Sequence, residues 1–418
     1  MNKDYLNYPV VYIFGIFTIF VALFPWVSFG LNSNDTQPWA LFCSVIFLLL
    51  VGKVPQNYIT IFILAPFVAS VLIIAIPGKI DGAVYFRGLF GYFSLSVILL
   101  SLYIFYRRYG LPVKILVFAN LIYLAFGFLQ LLFGKYIFEF LSPIRTTVGR
   151  GYSSLAIEPT YFGLVLLCFN LIYYKKCYRD KNWNNLKLLF ATNVFFIIFV
   201  AQSSLAILLL VLWLIFSFTK HIKYLFFLMA IFIVTFNLIV DSEEYNESRI
   251  IRIQNYILDG GIINLIKSDA STNYRLGGIV LPFLGVADNL LAPGGYGTYS
   301  KNIENIREQY QNIFWYGEHS RIYSYLGTVV YELGIFGIIY LLFFFAFILW
   351  KESASTWYFP LLIFLLFLNS LPISSPFVCV FIAYYIATIV NKKHSQTNSS
   401  LVNKKHSQTN FSLNLSNS

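Results

Sequence analysis

A succession of long apolar runs, broken by short basic turns, constrains this chain more than any other feature of it. The runs lie near residues 8–29, 38–52, 57–77, 83–106, 111–133, 156–174, 186–201, 203–219, 222–240, 322–349, 357–371 and 374–390. Several approach the ~20 residues that cross a hydrocarbon layer, and others are shorter. Backbone polar groups in lipid must be satisfied within their own segment, so each run is expected to be a helix. The expectation is an all-α polytopic membrane protein with about twelve transmembrane helices. At 58% apolar, 20% aromatic and 11% charged over 418 residues, the chain has more apolar surface than a soluble domain could hide. Residues 1–240 hold helices one to nine and a short outer loop at 134–155. A large outer loop follows at 241–320, with short helices of its own, then helices ten to twelve at 321–390 and a tail at 391–418.

Charge sets the orientation. With the N-terminus inside, Lys53, Arg107, Arg108, Lys175, Lys176, Arg179, Lys181, Lys220, Lys223, Lys351 and the tail lysines all fall on the cytoplasmic side. The first run is too long for a signal-peptide core and lacks a small-residue cleavage site, so it is expected to remain as the first span. Cys43, Cys168, Cys177 and Cys379 have no paired spacing, which argues against a disulfide framework or a zinc site. The net charge of +11 comes with no basic stripe or reader motif, so no nucleic-acid partner is expected. In the tail, residues 391–398 recur at 403–410, and the polar composition predicts disorder.

Lysine follows the sidedness rule; arginine mostly does not. Arg87, Arg145, Arg150, Arg249, Arg252, Arg275, Arg307 and Arg321 all fall on the outer side. A guanidinium matches phosphate and carboxylate with two donors at once, whereas an ammonium is a hydrated point charge. Outer acids such as Glu139, Asp241, Glu304 and Glu308 offer structural partners for some of these arginines. The remainder are candidates for binding an anionic, lipid-linked substrate.

Local patterns add detail to the two outer loops. Residues 248–258 carry Ile250, Ile253, Ile257 and Leu258 on one helical face, closed by Asp259-Gly260-Gly261. This predicts a helix at the outer interface or packed on the protein. Ser271-Thr272 is expected to cap a second helix at 273–284, with Arg275 in its first turn, where a cation opposes the helix dipole. Pro159 fits the first turn of a helix, leaving Glu158 at its mouth as a general base, an arginine-orienting group or a cap. Of four histidines only His319 lies outside, at the junction of loop and span, where imidazole is suited to proton transfer or to a structural role.

These residues carry a resemblance. Arg150-Gly151 followed by Glu158-Pro159, Gln202-Ser203-Ser204 opening a span, Arg275, the turn Pro293-Gly294-Gly295-Tyr296-Gly297-Thr298-Tyr299, and His319-Ser320 ahead of Tyr331-Glu332-Leu333-Gly334-Ile335-Phe336-Gly337 resemble the bacterial O-antigen polymerase and ligase superfamily. The chain is most similar to Wzy-type polymerases. It departs from the usual His-Asn at His319-Ser320 and from the usual Ser-Arg at Ser203-Ser204.

The resemblance implies a glycosyltransferase with a GT-C-like fold in the bacterial inner membrane. Its termini would be cytoplasmic and its active site periplasmic, with no cofactor and no metal. The growing glycan is held on undecaprenyl pyrophosphate, and a hydroxyl of the next lipid-linked repeat unit attacks its anomeric carbon as lipid pyrophosphate leaves. Such a reaction needs cations at the pyrophosphate, assigned to Arg150, Arg275, Arg145 and Arg321, and a base, assigned to His319 or Glu158. Tyr161, Tyr296 and Tyr299 are candidates to stack on sugar rings. Expected partners are the lipid-linked glycan, membrane lipid and a chain-length regulator. An O-antigen ligase acting on lipid A-core is the alternative within the superfamily. A lipid-linked oligosaccharide flippase is the alternative outside it, although few charges lie at mid-span, where transporters concentrate them.

Overall fold

A computed structural model of the chain describes residues 9–28, 36–76, 78, 84–146, 150–180, 186–217, 249–315, 322–351, 358–369 and 371–390. The expected span at 222–240 and the tail repeats lie outside the described residues, as do all four histidines. The described chain is helical, with no strand element. In order it forms α1 (Pro9–Leu23), α2 (Trp39–Val51), α3 (Tyr58–Leu72) with a 3-10 turn at Ile73–Ala75, α4 (Val84–Tyr109), α5 (Val113–Phe133) and α6 (Pro159–Asp180). Next come α7 (Lys187–Phe195), extended by a π-helical turn at Phe196–Ala201, and α8 (Ser204–Ser217). The large loop supplies α9 (Arg249–Ser268), α10 (Ala270–Asp288) and α11 (Tyr299–Gln309), and the chain ends with α12 (Tyr325–Leu333), α13 (Ile335–Lys351), α14 (Tyr358–Phe367) and α15 (Pro376–Val390).

Three of these segments, Tyr58–Ala75, Tyr85–Tyr109 and Val113–Phe133, are long and apolar enough to cross a membrane, and six further helices are apolar but shorter. Burial sorts the helices. Along α6 nearly every side chain from Phe162 to Tyr173 is buried, as is α15 from Phe377 to Ala387, so these two lie in the interior. A helix that is apolar all round needs such surroundings. The outer helices instead leave large apolar side chains bare: Leu49 is 75% exposed, Ile61 72%, Phe133 66% and Leu342 65%. Apolar exposure this extensive is unfavourable in water and natural against lipid tails.

The helix ends fall into two sets. Tyr12 at the start of α1 packs on Phe105 and Tyr109 at the end of α4, with ring centroids 5.9 and 5.2 Å apart. At this end Arg108 Nη2 donates to the Lys53 carbonyl at 3.2 Å. At the end of α6, Lys175 lies over the rings of Tyr385 and Phe359, at 3.6 and 5.0 Å from their centroids. At the end where α1 stops, Tyr123 in α5 donates to the Leu23 carbonyl at 2.8 Å, and the Ser28 N–H donates to the Leu141 carbonyl at 2.8 Å. The loop after α5 therefore sits where α1 ends and α4 begins.

Three local expectations change. Asp269, not Ser271-Thr272, caps α10, its carboxylate accepting from Thr272 N at 2.7 Å and Thr272 Oγ1 at 2.6 Å. Helix therefore begins at Ala270 and places Arg275 in the second turn, past the strongest part of the dipole. The chain does leave helical geometry at Gly260 (φ −166°, ψ 20°) and Gly261 (φ 70°, ψ −164°), but it re-enters helix as far as Ser268. The apolar run at 322–349 is two helices divided at Gly334, where φ is 56° and an added Cβ would stand 2.5 Å from Pro293 N.

Candidate functional site

The shorter loop is built on α5, α6 and the turn between α7 and α8. Gln130, fully buried at the end of α5, is its anchor. Its amide nitrogen donates to the carbonyls of Lys135 and Ser154, both at 3.1 Å, and its amide oxygen accepts from Ser154 N at 2.6 Å. Ser154 is held at φ 54°, a left-handed conformation that few non-glycine residues adopt, while its hydroxyl donates to the Tyr123 carbonyl at 2.7 Å. Gly151 lies directly against the π turn, where a Cβ would come within 2.2 Å of the Ala201 carbonyl oxygen, and the next N–H, of Tyr152, donates to the Val200 carbonyl at 2.9 Å. Only glycine lets the two backbones approach this closely.

That frame holds three of the expected residues. Arg145, exposed, is fixed through its N–H to the Ile157 carbonyl at 2.7 Å. The half-buried Arg150 gives its carbonyl to Lys135 Nζ, which also lies 5.5 Å from the centre of the Tyr152 ring. Burial lowers the Lys135 ammonium below the ordinary lysine value. Glu158 immediately precedes α6, and its carbonyl accepts from Phe162 N at 3.2 Å. The backbone of Arg145, Arg150 and Glu158 is thus fixed on one stretch that leads into a helix whose first N–H groups favour anions. Tyr161, one turn further, stacks on Trp26 with centroids 5.5 Å apart, so one ring face is already covered.

The larger loop forms a second group. Leu291 to Gly294 run as a strap against the α12–α13 junction: Gly294 N donates to the Tyr331 carbonyl at 2.7 Å and Ile335 N to the Leu291 carbonyl at 2.8 Å. Thr298 donates to the Gly294 carbonyl at 2.7 Å, and Asn302 donates to the Tyr331 hydroxyl at 3.2 Å. The tyrosines expected to meet sugars are structural here. Tyr296 is fully buried over Gly88, between Tyr85 and Tyr92 with centroids 5.8 and 6.3 Å away. Tyr299 is buried edge-on to Tyr331, with centroids 5.0 Å apart. Burial pushes both phenols above their ordinary range. Arg275, half-buried on α10, belongs to this group, whereas His319 and Arg321 lie outside the described residues.

Because Tyr296 packs on the first turns of α4, and the 134–142 segment packs on the end of α1, both groups occupy the same end of the helices. Lys53 and Arg108 mark the other end. The structure also picks out a group that the sequence reading did not single out. Tyr92 donates to Glu332 Oε2 at 2.9 Å, and the charge of Arg87 reaches the same carboxylate. A lone acid in an otherwise apolar stretch was the available signal. No family model matches the chain, and neither a curated protein nor a solved structure matches it.

Proposed function

We propose that the chain is a polysaccharide polymerase of the Wzy type, joining undecaprenyl-pyrophosphate-linked repeat units at the periplasmic face of a bacterial inner membrane. On this reading the chain crosses the membrane twelve times, both termini are cytoplasmic, and the loops at 134–155 and 241–320 are periplasmic. Arg150 and Arg275, with Arg145 and Arg321, neutralise the departing pyrophosphate. His319 or Glu158 takes the proton of the attacking hydroxyl.

The observation that supports this best is the common end shared by the two arginine-bearing loops, opposite the end marked by Lys53 and Arg108. An anionic group carried at the surface of a bilayer would meet the first set of charges in one plane. The first loop, moreover, is fixed by backbone and buried amide contacts, which is what holding a pyrophosphate in place requires. The two buried tyrosines drop out of the sugar-binding set.

The test is reconstitution in liposomes with lipid-pyrophosphate-linked repeat units, read as a gel ladder. Wild type is expected to give a ladder, sharply reduced in stably inserted Arg150→Ala, Arg275→Ala and His319→Ala. Glycan crossing the bilayer without extension would replace the proposal with a transporter. Product appearing only when lipid A-core is supplied would replace it with a ligase.

A further inference from the structure

Along α3 and α13 the helices form a feature that no polymerase step uses. Antiparallel α3 and α13 diverge to leave an apolar groove of about 400 Å³, floored by Phe62 and Tyr340 and lined by Ala65, Ala69, Phe336 and Phe343. Phe62 is held flat against Tyr340, with centroids 5.0 Å apart, so the floor is rigid aromatic surface. From Tyr58 to Ala69 the groove follows α3 for about 16 Å, on the scale of an extended acyl chain.

The two mouths differ in the charge around them. Tyr58, 60% exposed, stands at this mouth beside Asn57, which caps α3 by accepting from Thr60 N at 3.0 Å. Tyr58, Asn57 and Arg107 all neighbour the phenol of Tyr103. Arg108 is tied to the Lys53 carbonyl, and the Lys53 side chain is exposed. Arg107 and Arg108, with the exposed Lys53, therefore lie at the Tyr58 end of a groove lined almost wholly by apolar side chains. At the other mouth, beyond Phe336 and Ala69, the charge of Arg87 is opposed by the Glu332 carboxylate.

We propose that this groove binds one acyl chain of an anionic phospholipid, with the lipid phosphate held by Lys53, Arg107 and Arg108. The charge favours an anionic over a zwitterionic headgroup, since each basic residue near the surface attracts anionic lipid. The length of about 16 Å favours an ordinary acyl chain over a much longer polyprenyl tail. The inference rests on the chain being a membrane protein and is independent of whether it polymerises anything.

Native mass spectrometry tests it without an activity assay. The protein is released from nanodiscs of equal phosphatidylglycerol and phosphatidylcholine, with polyprenyl phosphate added as competitor. Wild type is expected to retain one phosphatidylglycerol. Ala65→Phe, which fills the groove, and Phe343→Ser, which removes its exposed rim, are expected to lose that adduct, in preparations whose melting shows them folded. Arg107→Ala/Arg108→Ala is expected to lower the preference for phosphatidylglycerol by roughly tenfold or more. Retention in proportion to the nanodisc composition, retention of polyprenyl phosphate instead, or an undiminished adduct in both folded groove variants would overturn the proposal.

Discussion

Replacing Gly151 by alanine should detach the arginine-bearing loop from its frame. The new Cβ would stand 2.2 Å from the Ala201 carbonyl oxygen and 2.5 Å from both Ala201 C and Val200 O, where ordinary contact begins at 3.4 Å. All three are backbone atoms of the π turn, so no side-chain rotation relieves the clash. The loop must back away by about 1 Å, an overpacking strain of about 1–3 kcal/mol. The same movement stretches the adjacent Tyr152 N–H bond to Val200 and strands a buried carbonyl, adding about 1–3 kcal/mol. The matched control is Gly91→Ala in α4, where an added Cβ meets nothing within 4 Å. There, lost chain entropy alone predicts a gain of about 0.5–1 kcal/mol. Thermal unfolding in detergent, followed by intrinsic fluorescence, should show Gly151→Ala melting roughly 2–7 °C below wild type and Gly91→Ala at or above it. Its ladder activity should fall with the loop while membrane insertion stays normal. Indistinguishable melting of the two variants would refute the close-approach argument.

Two further substitutions probe the buried polar groups. Gln130→Leu keeps the volume but strands the Ser154 N–H and the carbonyls of Lys135 and Ser154, and should lower stability by about 2–4 kcal/mol; a wild-type melt would show that the bridge contributes nothing. Tyr92→Phe leaves Glu332 without its donor and should destabilise by about 1–3 kcal/mol, whereas Tyr92→Phe/Glu332→Leu should recover most of that loss, as removal of both partners is nearly neutral. Additive losses in that double-mutant cycle would show that the two groups do not interact.

Helix positions were legible because lipid imposes a simple rule: an apolar run becomes a helix whatever packs against it. Thus α2 through α5 fall within a few residues of the apolar runs that predict them. The interior was less legible. The runs behind the outer helices α2 and α3 and the buried helices α6 and α15 read alike in sequence, because lipid and protein interior are equally apolar. Among the candidate site residues, Arg145, Arg150 and Glu158 do share one loop, as their spacing implied. Tyr296 and Tyr299 misled because an aromatic in a glycine-rich turn reads the same whether it faces a ligand or, as here, fills the space above Gly88 or beside Tyr331. Glu332 enters the sequence reading only as part of the Tyr331-to-Gly337 motif, and its pairing with Tyr92 is hidden inside a run read as one continuous span.

The division of that run at Gly334 bears on function. The strap at Leu291 to Gly294 pairs with Tyr331 and Ile335, so α12 is fastened to the large loop and the apolar helix α13 begins at Ile335. The 17 residues of α13 give about 25 Å, close to a hydrocarbon crossing by themselves. Glu332 therefore stands just ahead of α13, with the Tyr92 hydroxyl and the charge of Arg87 only partly offsetting the cost of burying its carboxylate. An acid deep within a span is the mark of an ion or proton path. An acid at the mouth, clamped by a donor from α4, joins the loop end of α12 to the helices beneath. On the proposed reading, that placement puts Glu332 at the same end of α4 and α13 as the two arginine-bearing loops, where a headgroup reaction would take place.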